Sequence, residues 1–151
     1  MVPVLLVALL TAIAGAAPRA DAGGADPRVP VCVVAHLDGD RQPPPDPDLL
    51  RRVFLMRQAR WPGGGAVHPV NLPASSSVRE DFTRAMFGQS VGEQAAYWNE
   101  RYFHGTRPPP TVASEDAVVL FVERTDGAVG YVTEARAGAL PDGVVRLLCL
   151  P

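Results

Sequence analysis

Residues 29–37 form a run of β-branched and apolar side chains without polar alternation, the pattern of a strand buried on both faces. Residues 38–45 are polar and Pro-rich and predict a loop. Asp46 then caps a helix with Pro47 at its first position, and Leu49, Leu50, Val53, Phe54 and Met56 supply its apolar stripe. Pro62 disfavours helical geometry at Trp61, so this helix is expected to end there. Gly63, Gly64 and Gly65 turn the chain into a second strand over residues 66–72. A second helix carries Val78, Phe82, Ala85 and Met86 inside and stops at Gly88, with Ser77 and Glu80 at capping-box spacing. Ser90 and Glu93 repeat that device for a third helix, whose inner face is expected to hold Val91, Ala95, Trp98 and Tyr102.

Pro108, Pro109 and Pro110 form a stiff connector. Ser114, followed by Glu115 and Asp116, starts a fourth helix with Ala117, Val118, Phe121 and Val122 inside. Gly127 breaks it, and strands over residues 128–132 and 144–150 complete the chain. Strands separated by helices predict an α/β fold: a single three-layer lobe with a mostly parallel or mixed sheet of about four strands.

The N-terminal pattern changes the compartment. Residues 2–14 are apolar except for Thr11, and small residues follow through Ala17. The run is short of the roughly 20 residues of a membrane span and fits the apolar core of a secretory signal. Ala20 and Ala22 make a small-x-small cleavage site, so residues 1–22 are expected to be a signal peptide and residues 23–151 one α/β domain, periplasmic or secreted. No arginine precedes the run, which leaves an uncleaved anchor or a mis-called start as the alternative. In an oxidising compartment Cys32 and Cys149 can form a disulfide closing a loop of more than a hundred residues; two buried thiols on a sheet are the other reading.

Composition excludes more than it assigns. The formal net charge is −2, and all 14 basic residues are arginines scattered along the chain, so no nucleic-acid footprint exists. His36, His68 and His104 are far apart in sequence and show no metal-ligand spacing. Nucleophile elbows, phosphate loops and dinucleotide fingerprints are missing, so no enzyme, cofactor or metal is indicated. Asp38 and Asp40 read as a turn. The strongest candidate for chemistry is the strand-to-helix turn over residues 71–79. There Ser75, Ser76, Ser77 and Arg79 place hydroxyls and a guanidinium beside a helix N-terminus, a combination that suits phosphate or a carboxylate. The plain alternative is a structural cap by Ser77 and Glu80, with Glu80 and Asp81 repelling an anion.

Four stretches, in order, resemble the phosphate-binding proteins of bacterial phosphate ABC transporters, of the type 2 periplasmic-binding-protein class, and especially their short relatives. Leu50, Val53 and Phe54, in a segment ending at Trp61, resemble a helix of that family with a Leu-x-x-Ile-Phe core. Residues 67–82 match a strand and the start of the ligand-bearing helix, and residues 96–109 resemble a stretch typical of the short relatives. Residues 117–132 end in Gly-Ala-Val-Gly-Tyr-Val, close to the family's Gly-Ala-Ile-Gly-Tyr-Val. Full-length members clamp the anion between two α/β lobes, whereas this chain has room for one. The family's ligand turn is Arg-x-x-x-Ser-Gly-Thr. In register, Leu72 stands at the arginine, Ser76 at the serine, and Ser77 and Val78 at Gly and Thr, with Arg79 a nearby substitute.

The resemblance implies an exported solute-binding-like protein with weak affinity for phosphate or another small oxyanion at Ser75, Ser76, Ser77 and Arg79, serving a membrane permease or a sensor protein. Its alternative is a non-transport sensory or protein-interaction module that has lost the ligand site. An outward Arg79 would favour binding, and an Arg79 paired with Glu80 or Asp81 would favour the scaffold.

Overall fold

Val31 to Ala35 are all within 1% of complete burial, as an apolar run with no polar alternation requires. They belong to β1 (Val31–His36), which lies inside a four-stranded sheet between β3 (Ala128–Thr133) and β4 (Val144–Leu150). The computed structural model describes residues 28–36, 43 and 45–151; the N-terminal apolar run, its cleavage site near Ala22, and Asp38 and Asp40 lie outside them. Strand order is β2-β3-β1-β4, with β2 (His68–Pro69) at one edge. β1 runs antiparallel to both its neighbours, while β2 pairs with β3 in parallel. The sheet is therefore mixed.

The strand expected over residues 66–72 contracts to two residues. Pro69 has no N–H for a ladder and is tolerated because β2 sits at the sheet edge. Single bridges, Arg60 to Ala66 and Asn71 to Thr111, hold the chain on either side.

Side chains alternate across β3, and its two central residues define the layers. Tyr131 stacks on Phe82 of α2 (Ser77–Phe87), ring centroids 3.8 Å apart, and meets Phe54 of α1 (Pro47–Phe54) edge-on at 5.8 Å. Gly130 faces α4 (Glu115–Arg124) on the other side, where a β-carbon would lie 2.5 Å from the Val118 Cγ1 methyl. A glycine there lets α4 settle onto the sheet and bury Val118, Val119 and Val122. The result is three layers: α4, the sheet, and α1 with α2.

Capping fixes most helix starts. Asp46 accepts the Asp48 N–H at 2.9 Å, with Pro47 at the first position as expected. α3 (Val91–Phe103) opens on a complete capping box between Ser90 and Glu93. The Ser90 amide and hydroxyl hold the Glu93 carboxyl below its usual value.

Two helices depart from the sequence pattern. α1 stops at Phe54, not near Trp61, because the chain closes a Schellman turn: Arg57 N–H donates to Arg52 O and Met56 N–H to Val53 O. Met56 takes the left-handed position at φ 56° and is 38% exposed, so it leaves the apolar stripe. α3 turns Gln94, Tyr97, Trp98 and Arg101 inward and leaves Ala95 and Tyr102 exposed. Tyr97 directs this rotation, since its hydroxyl donates to Leu55 O at 2.8 Å and Arg57 lies over its ring. A further single turn, α5 (Glu134–Ala137), follows β3 where the sequence pattern predicts no helix.

Cys32 and Cys149 face each other across the β1–β4 pair and are joined by a disulfide, 117 residues apart in sequence. His36, at the end of β1, sets Nδ1 3.0 Å from Val122 O and Nε2 3.3 Å from Asp126. His68 and His104 are exposed, and the described residues hold no group of three or more metal-ligating side chains. No described helix is long and apolar enough to cross a membrane.

Candidate anion-binding site

The chain leaves β2 through Asn71 and Leu72 and turns at Pro73 into α2. Asn71 N–H donates to Pro110 O at 2.8 Å and Val112 N–H to Asn71 O at 2.9 Å, so the segment approaching α4 runs alongside this turn. The N-termini of α2 and α4 thereby come to the same side of the molecule. Between them lies a depression of about 360 Å³, with Leu72, Ser75 and Ser76 on one wall and Ser114 and Glu115 on the other.

Both helix starts are capped by serine. Ser76, not Ser77, is the N-cap of α2: its Oγ accepts the Arg79 N–H at 3.4 Å and its carbonyl accepts the Glu80 N–H at 3.1 Å. The Ser77–Glu80 box expected from spacing does not form, because the helix begins one residue earlier and position N3 is Arg79. Glu80 instead accepts the Val91 N–H at 2.9 Å and pairs with Arg84 at 2.7 Å. Ser114 caps α4 in the same way, its Oγ accepting the Ala117 N–H at 3.2 Å. Each cap serves the N–H groups at the third and fourth helical positions; those at the first two are the free donors of a helix start.

The four residues singled out from sequence divide in two. Ser75 and Ser76 line the depression. Ser77 is exposed outside its lining, and the Arg79 guanidinium folds back to donate to Leu72 O at 2.8 Å. Arg79 is thus neither outward nor paired with Glu80 or Asp81. It satisfies the carbonyl at the end of the incoming strand.

Two contributors were missed. Tyr131 donates to Asn71 Oδ1 at 3.1 Å and accepts the Leu72 N–H at 3.2 Å, fixing the strand end beneath the turn. Burial pushes its phenol up to about 12 despite the Leu72 N–H bond and the positive charge of Arg79. Glu115, read only as a helix-dipole residue, lines the depression while its Oε2 accepts the Thr133 N–H at 2.6 Å and the Thr133 hydroxyl at 2.8 Å. The Ser-acidic pattern at residues 114–116 was visible in sequence, but its adjacency to the 71–76 turn arises from the bridge between Asn71 and Thr111.

This architecture has a solved counterpart. An ABC-type phosphate transport receptor from Vibrio cholerae superposes on 78% of the chain with a TM-score of 0.53 at 16% sequence identity. The chain shares its fold with a phosphate receptor. The receptor-like lobe spans 46% of that protein's length, so it corresponds to less than half of it. No protein-family model matches the chain, and no curated protein does either.

Proposed function

We propose that this receptor-like lobe is an exported small-oxyanion binder, with phosphate the leading ligand and weak affinity. The carrying observation is the single depression onto which two serine-capped helix starts open. Each start presents free N–H groups and the positive end of a helix dipole. Ser75 and Ser76 add hydroxyls at its wall, and the receptor of similar fold is described as a phosphate transport receptor. With Leu72 in place of an arginine and Arg79 turned to Leu72 O, no guanidinium clamps the ligand. A charged hydrogen bond is worth about 1.5–3 kcal/mol, which is why the affinity is weak. Export by a signal peptide over residues 1–22, and delivery to a permease or sensor, complete this reading.

A second reading, a sensory or protein-interaction module without a ligand, is favoured by Glu115. Its carboxylate stands on the wall of the depression and opposes an anion. Calorimetric titration of the full chain at low salt with phosphate, sulfate and a dicarboxylate separates the two. Binding predicts a phosphate heat that weakens about tenfold in Ser75→Ala, which spares the cap, and disappears in Ser76→Ala. Silence up to millimolar ligand rules out the binder and leaves the interaction module.

A further inference from the structure

The third helix leaves two aromatic side chains in water. Phe103 is 86% exposed and Tyr102 61%, the two highest values among the large apolar residues described. Gln94, Tyr97, Trp98 and Arg101 form the inner face of α3. Directly opposite, Gly92, Ala96, Asn99 and Phe103 are all exposed and follow a 4-3-4 spacing, the repeat of a helix–helix seam. Ala95 and Tyr102 lie along one flank of the seam, and no charged residue interrupts it.

We propose that this face is a two-fold contact between two copies of the chain, α3 packing antiparallel on α3. Self-pairing follows from the order of sizes along the seam. Small residues occupy its first half and an aromatic its end, so a reversed copy is its complement. With the axis near Asn99, Phe103 of each copy covers Ala95 and Ala96 of the other. The charges at the ends agree with the reversal: Glu93 flanks the first turn, Arg107 follows the last, and each acidic end meets the partner's basic end. Antiparallel helix dipoles favour the same arrangement. Glu100 lies close to the axis on the flank and meets its own symmetry mate, the one like-charge contact of the pair. The seam is twelve residues long and rises roughly 16 Å from Gly92 to Phe103, so the contact is small and the dimer weak, on the order of micromolar.

Sedimentation velocity on the full oxidised chain, from micromolar to millimolar concentration, tests this directly. The expected record is a monomer–dimer equilibrium. Phe103→Ser and Ala96→Glu, on the two sides of that contact, each weaken association by about tenfold or more. Glu100→Gln strengthens it several-fold. All three positions are exposed, so at concentrations where every protein is monomeric thermal unfolding and far-ultraviolet dichroism stay unchanged, and loss of the dimer is not loss of the fold. A chain that remains monomeric to millimolar concentration overturns the proposal and assigns the aromatic pair to a different protein. A dimer indifferent to Phe103→Ser also overturns it.

Discussion

Tyr131 shows how a single residue joins the core to the candidate site. Its ring stacks on Phe82 and its hydroxyl holds both Asn71 and Leu72, so the turn that carries Ser75 and Ser76 is anchored from below. The buried phenol has a raised pKa of about 12 against an ordinary 10.0. Below pH 10 both folded and unfolded chains keep the proton, and the full stability is present. Between pH 10 and 12 only the unfolded chain gives it up. Stability should therefore fall across that window by on the order of 2–3 kcal/mol. Tyr131→Phe is expected to cost about 1–3 kcal/mol at neutral pH, by orphaning Leu72 N–H and Asn71, and to abolish this alkaline loss. Urea titrations at pH 7, 10 and 11.5 measure both effects. Ser76, which lines the depression, was singled out in sequence because residues 72–78 resemble a serine-bearing turn at a helix start. The direction of Arg79 was not legible, since its hydrogen-bond acceptor, Leu72 O, becomes available only once Asn71 and Leu72 are fixed by Tyr131 and the Pro110 segment.

At the scale of elements, caps and strand patterns were the most readable features. β1, β3 and β4 and the starts of α1, α3 and α4 fall where Asp46, Ser90, Ser114 and the apolar runs put them. Ends and faces were less readable. The α1 terminus depends on a Schellman turn made without glycine, which no spacing rule anticipates. For an L-residue the left-handed position is unfavourable, so Met56→Gly should stabilise the protein by about 1 kcal/mol, less the small packing lost from a partly exposed side chain. A higher urea midpoint with an unchanged slope is the expected result. The expected inner face of α3 holds for Val91 and Trp98 but not for Ala95 and Tyr102, because periodicity assumes that apolar residues go inside. Here Tyr97 and Trp98 pack inward with Gln94, while Tyr102 and Phe103 do not. The outer side of α3 carries Ala95, Ala96, Tyr102 and Phe103, so apolarity alone does not mark its buried side.

The molecule as a whole is a mixed sheet between α4 on one face and α1 with α2 on the other. Sequence alone indicated the number of strands and layers but left their directions open. Parallel or antiparallel pairing of β1 depends on which strands become neighbours after more than 90 intervening residues, and local pattern carries no record of that. The Cys32–Cys149 bridge then locks the first described strand to the last. Closing so long a loop restricts the unfolded chain, and reduction, or the Cys32→Ala/Cys149→Ser pair, should cost about 3–5 kcal/mol in urea unfolding under matched conditions. The same pairing has a topological side. Val31 lies directly opposite Leu150, so the chain enters and leaves the sheet on adjacent strands, roughly 5 Å apart. A unit with its entry and exit side by side behaves almost as a closed ring. It can sit as an insert within a loop of a larger protein while presenting its host with only a narrow gap to bridge.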